Sequence, residues 1–215
     1  MKKYILKIAI MMMVVATAFV FGACADDSDT GAVEEPTHET AEGTEADAGI
    51  DGTKLGYKGD DAAIVAVYDY LANEVSKDYD DADCTIPTVD VVSEDDSNPD
   101  DIIIKGCFDI YNYDIEGDTL KCVSGGSHPG CMHVKKIDEE TCKVTSFDAV
   151  QDGGNFEPTA KKIFGDDYDK FMKMNGDQER RDKLRTETVE TYVVANELSV
   201  TQYQDYGWDP VEIPF

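Results

Sequence analysis

Asp101-Ile-Ile-Ile-Lys-Gly-Cys-Phe-Asp-Ile-Tyr-Asn-Tyr-Asp114 decides the fold. Ile102, Ile104, Phe108 and Ile110 fall on one face of a strand, and Lys105, Cys107, Asp109, Tyr111 and Tyr113 fall on the other, because successive side chains of extended chain point to opposite sides. The first face is apolar enough for a core and the second is wetter. Glu116-Gly117 follows and supplies a hairpin turn, since Gly reaches the positive φ that tight turns need. A two-residue turn centred there sets Cys122 opposite Tyr111 and Cys107 opposite Gly126, which disfavours a Cys107–Cys122 bridge.

Leu120 to Ile137 then reads as one long strand, interrupted at Gly125-Gly126-Ser127-His128-Pro129-Gly130, where glycines and proline break the ladder with a bulge or kink. Its continuation turns at Asp138-Glu139-Glu140 into a further strand from Cys142 to Val150, giving a four-stranded antiparallel meander. Upstream lies a shorter strand over Thr85 to Ser93. Before it, Ile64, Val67, Tyr68, Leu71 and Val75 recur at helical spacing behind an Asp60 or Gly59 cap. Downstream, Phe156 to Phe164 and Tyr168 to Met174 read as short helices. Asp177 caps a longer one to about Leu198, with Leu184, Thr188, Val189, Tyr192, Val193 and Ala195 as its apolar stripe. The tail from Tyr203 to Phe215 is aromatic and Pro-containing, and is expected to pack back as irregular structure. The class is α+β, with an N-terminal helix packed on a curved four-stranded antiparallel sheet and C-terminal helices after it.

The first residues carry a different message. Lys2, Lys3 and Lys7 precede an apolar run from Ile8 to Phe21, and Gly22-Ala23 precede Cys24, the layout of a secretory leader over residues 1–23. The run is shorter than the roughly 20 residues a spanning helix needs. Phe21-Gly22-Ala23-Cys24 resembles the lipobox of bacterial lipoproteins, with Phe21 where Leu is commoner. That resemblance implies a diacylglycerol on the Cys24 sulfur, cleavage just before it, and residence outside the cytoplasm on the cell membrane. Ala25 to Gly56 scatters acidic residues among Gly, Ala, Thr and Ser without apolar periodicity, and reads as a stretched tether. Tyr57 to Phe215 is then a single domain.

The formal charge is −27, and loss of Lys2, Lys3 and Lys7 with the leader takes it to about −30. A chain so acidic lacks the basic surface that nucleic acid requires, and its charge keeps molecules apart. No acidic run has the spacing and central Gly of an EF-hand loop. Five cysteines follow Cys24, namely Cys84, Cys107, Cys122, Cys131 and Cys142. An odd set cannot pair fully, and free buried thiols are the expectation.

Chemistry-bearing residues are few. His128, Cys131 and His133 place soft donors close together, with Cys107 and Asp148 available across the sheet to complete a metal site. The neighbouring Pro129 and Gly130 favour a structural bulge, so no metal or cofactor is expected. Asp109, Asp148 or His133 could serve catalysis if buried in an apolar cavity that raised a carboxyl pKa. The acidity of the chain makes a solvated strand Asp the commoner outcome, and no catalytic residue is assigned. Trp208, with Tyr203 and Tyr206, could line a groove, although tail aromatics usually fasten the tail to the core. His128, Cys131, His133 and Trp208 are the ligand-binding candidates. Ser-His-Asp, phosphate-loop and metalloprotease patterns are missing from the sequence.

Ser124-Gly-Gly-Ser-His-Pro-Gly-Cys-Met-His133, Thr145-Ser-Phe-Asp-Ala-Val-Gln-Asp152 and Tyr203-Gln-Asp-Tyr-Gly-Trp-Asp-Pro210 resemble segments of uncharacterised gut-bacterial surface lipoproteins. The element order is similar to the cystatin-like and nuclear-transport-factor-two-like folds, which wrap a curved sheet round a helix as a cone. That resemblance implies a fold and no activity. The functional expectation is a non-enzymatic binding or interaction module at the cell surface, with the membrane as partner through its lipid. The alternative is an enzyme acting on a small molecule in the concave face. A deep apolar pocket with one buried carboxylate or His favours the enzyme; a filled cone with an exposed apolar patch favours the module.

Overall fold

A computed structural model describes residues 49–215. The leader, Cys24 and the tether up to residue 48 lie outside the described residues. Within residues 49–215 the architecture is α+β, with a mixed sheet of seven strands in place of the expected four. Helix α1 (Ala62–Asn73) comes first, and the Asp61 side chain caps it by accepting from Ala63 N at 2.8 Å and Ile64 N at 3.3 Å. Strands β1 (Cys84–Asp95), β2 (Ile102–Glu116), β3 (Thr119–Ser127), β4 (Gly130–Lys136) and β5 (Cys142–Ala149) follow. Helices α2 (Phe156–Phe164), α3 (Tyr168–Asn175) and α4 (Gln178–Ala195) come next, and β6 (Gln202–Gln204) and β7 (Val211–Glu212) end the chain.

β2 is the axis. It pairs along its length with β1, and its other edge is shared between β3 and β4, which are the two halves of the interrupted strand. β5 joins β4, and β6 joins β3 in parallel, with β7 outside it. The tail is therefore not irregular: three residues of β6 take up the open hydrogen-bonding groups of the β3 edge. Strands this short leave no periodicity to read.

The hairpin register also differs from the expectation. Glu116 faces Thr119, so the turn residues are Gly117 and Asp118, with Gly117 at φ 66° in the first central position, as a II′ turn requires. Cys122 consequently faces Tyr113, Gly126 faces Ile110, and Cys107 faces Asp90 on β1. A bulge inserts Val123 between the residues opposite Asn112 and Tyr113 and turns it outward, 51% exposed. All five described cysteines are free, with Cys84, Cys107 and Cys131 buried.

Both faces of β2 are covered. Ile102, Ile104, Phe108 and Ile110 pack with Met132, Val134 and Val144 against Ile64, Val67 and Leu71 of α1. On the opposite face Cys107 joins Val92 and Val150 beneath α2 and α3, where Phe164 and Phe171 stack at 3.9 Å. Farther along, Tyr113 and Leu120 meet Val189 and Val193 of α4 together with Tyr203 and Ile213 of the tail. Burial of each such side chain is worth about 1.5–3 kcal/mol, well above the 0–1 kcal/mol of an exposed ion pair, so apolar packing holds the layers together. These clusters pack on both faces of the sheet.

Local structure also lies ahead of Tyr57. Gly52–Leu55 forms a 3-10 turn in which Asp51 accepts from Thr53 N at 3.0 Å, Leu55 packs on the α1 core, and Asn196 Nδ2 donates to Lys54 O at 3.0 Å. Gly56, at φ 97°, lies so close to Thr188 that a side chain there would collide with it. Part of its support comes from α4, more than a hundred residues away, which composition does not show.

Candidate functional site

α4 carries a charge on its buried stripe. Arg185, one turn before Val189, is only 6% exposed. Its guanidinium lies 4.0 Å from the Tyr111 ring centre and 4.9 Å from that of Tyr203, and its Nε donates to Tyr113 Oη at 2.8 Å. The remaining two nitrogens donate to the Asp205 carboxylate at 2.7 and 2.6 Å. Burial opposes the charge on Arg185, yet Asp205 and Tyr113 more than offset it and raise its pKa. Arg185 in turn holds the Asp205 carboxyl below its usual pKa.

This pair fixes the start of a four-residue turn. Trp208 N donates to Asp205 O at 3.1 Å, and Gly207 at φ 80° occupies the third position, the pattern of a type II turn. Gln204 accepts from Lys121 Nζ and donates to Trp208 O, tying the far end of the turn to β3. On this braced loop Tyr206 is 96% exposed and Trp208 75% exposed. Beside it runs an open groove of about 450 Å³ lined by Glu116, Lys121, Val123, Gln204, Asp205 and Tyr206 among others. Of the tail aromatics, Tyr203 fastens the tail to the core, whereas Tyr206 and Trp208 stand in solvent.

The other candidates are distributed differently. His128 Nε2 pairs with Tyr79 Oη at 2.8 Å, and the two rings meet edge to face. Burial lowers the His128 pKa, which favours its neutral form. A Cβ on Gly126 would meet the Tyr79 hydroxyl and push it aside, whereas a Cβ on Gly125 or Gly130 would meet the backbone oxygens of Ile110 and Asp148. His133 turns elsewhere: Nδ1 lies 2.8 Å from Asp101 Oδ1, and Nε2 lies 3.7 Å from Asp148 Oδ2 and 4.0 Å from Cys131 Sγ. Cys131 is buried and its thiol is pushed up to about 11 by that burial, with Lys105 opposing. Among the described residues no three His, Cys, Asp or Glu side chains are grouped to hold a metal ion.

Asp109 is buried, its carboxyl is pushed upward by loss of water, and Oδ1 has no hydrogen-bond partner. Arg181 stands over it, Nε to Oδ2 3.6 Å, and Ser127 faces it on β3. Asp148, by contrast, is largely exposed.

No protein family, curated protein or solved structure matches this chain. The site therefore rests on its own chemistry. The sequence reading weighed Trp208, Tyr203 and Tyr206 together but missed Arg185 and Asp205, the pair that sorts them into fasteners and displayed rings. The one available signal was an Arg placed on the apolar stripe of α4, a position that needs a buried carboxylate partner.

Proposed function

We propose that this protein is a lipid-anchored, extracytoplasmic binding module that engages its ligand through Tyr206, Trp208 and the adjoining groove. One observation carries the reading: two large aromatic rings lie in water on a loop braced by an ion pair between the buried Arg185 and the partly exposed Asp205. Exposing such rings forgoes their burial, and bracing the loop limits the ordering entropy lost on binding. Large apolar surface kept exposed on a rigid support is the usual mark of a contact site. The lipobox-like Phe21 to Cys24 supports anchoring, and no helix among the described residues is long and apolar enough to cross a membrane. In the same reading the sheet and α1 form a cone of the cystatin-like or nuclear-transport-factor-two-like type, filled by Phe108, Ile110 and their neighbours.

Trp208 is the single tryptophan, so its fluorescence reports this site alone. Binding of material from the surroundings of the cell should shift or quench that emission, and Trp208→Ala should abolish retention of the protein on the same material. Unchanged retention by Trp208→Ala would remove the shelf from the binding surface.

The competing reading, an enzyme in the sheet's interior, is favoured by Asp109 alone. A carboxyl whose pKa is raised by burial is the kind of group that serves as a general acid. Arg181 over it and packed side chains around it leave that reading second.

A further inference from the structure

We infer that the shelf and groove take an uncharged oligosaccharide, an assignment that rests on the binding reading above. A sugar ring presents C–H bonds on its faces and hydroxyls round its rim. Tyr206 and Trp208, 96% and 75% exposed, offer flat apolar surface for the faces. Glu116 and Lys121 line the neighbouring groove with an acceptor and a cationic donor, beside Gln204 and Asp205, whose side chains are already engaged by Lys121, Trp208 O and Arg185; hydroxyls suit such a mixture because each both donates and accepts. The groove volume, about 450 Å³, falls within the ~300–1,000 Å³ of small-molecule sites, and its open form admits a chain longer than the groove itself.

Charge narrows the choice. Polyanions are repelled by the overall charge of −27, and a second copy of the chain meets the same repulsion. A cationic polymer would be held by acidic loops all over the surface and would gain little from this one place.

The test is a titration of the full-length protein in detergent, followed by Trp208 emission. The probes are cello-, malto- and manno-oligosaccharides of two to six units, with polygalacturonate and a tryptic digest of casein as controls. At least one neutral series should quench or blue-shift the emission, with affinity rising at least tenfold from two units to the length at which it levels off. Binding of that series, followed by calorimetry, should weaken at least tenfold in Trp208→Ala and in Tyr206→Ala, while both variants melt within a few degrees of the parent. Failure of all three neutral series to bind overturns the saccharide assignment. If the casein peptides or polygalacturonate then bind and Trp208→Ala abolishes it, the binding site stands with a different ligand class; if Trp208→Ala leaves their binding intact, the shelf reading falls as well.

Discussion

Arg185 and Asp205 join the third turn of α4 to the loop that displays Tyr206 and Trp208, through two hydrogen bonds of 2.7 and 2.6 Å. Asp205→Ala leaves a guanidinium in an aromatic enclosure without its carboxylate, and breaking a buried pair from one side costs about 3–5 kcal/mol. Because Asp205 is partly exposed, solvent screening brings the expected loss below that range, to about 2–3 kcal/mol by urea unfolding. Arg185→Lys should cost nearly as much, since an ammonium cannot make the double contact. A loss below 0.5 kcal/mol in both variants would mean the loop is held by other contacts.

The same pair sets an acid limit. Arg185 lowers the Asp205 pKa in the folded state, so the contribution is complete above the unfolded value of about 4 and is lost as pH falls through the depressed folded value. The difference in stability between the parent and Asp205→Asn should therefore shrink below about pH 4. A difference that stays constant from pH 7 to 3 would contradict it.

Asp109 has the opposite sign. Burial raises its pKa, so its charged form costs stability, and that cost grows as pH rises through the folded value. Asp109→Asn should be neutral or stabilising at pH 7 and lose any advantage in acid. Destabilisation above about 2 kcal/mol at pH 7 would show that pairing with Arg181 outweighs desolvation.

Gly126→Val should destabilise by about 1–3 kcal/mol, because the new side chain displaces the Tyr79 hydroxyl from His128. His128→Ala should cost about 1 kcal/mol and His133→Ala, partly exposed beside Asp101, less. Thermal melts with added zinc and with a chelator complete the test: a melting temperature that rises with zinc in the parent but not in either His variant would make this segment a metal site.

Two truncations separate the tether from the fold. A chain started at Gly49 should melt within a few degrees of the full chain. One started at Tyr57 loses the Gly52–Leu55 turn and its contacts with α4, and should melt several degrees lower. Anchoring is checked independently: Cys24→Ala should release the protein into the medium, and an acyl chain should be found on the amino-terminal Cys24 of the native protein by mass spectrometry.

What could be read in advance followed the range of the forces involved. The α2 limits, the Asp177 cap of α4 and the inward set Ile102, Ile104, Phe108 and Ile110 depend on local spacing, and these are as expected. The hairpin register turned on whether Gly117 takes the first or second turn position, which composition does not distinguish. β6, β7 and the Arg185–Asp205 pair exist only because distant segments meet, so no local pattern marks them. For the same reason Trp208 was legible as a candidate residue, whereas the bracing of its loop by Arg185 and Asp205 was not.

The parallel pairing of β6 with β3 joins Thr119 to Gln202, 83 residues apart, through a side-chain bond of 2.7 Å. A contact of that span forms late, after the intervening strands and helices have brought its ends together. It also rests on only three residues of ladder, which makes this corner the first to open on warming. The recognition surface should thus disappear before the domain melts: on a temperature ramp Trp208 emission and amide exchange at Gln202–Gln204 change first, and the β2 core lets go last.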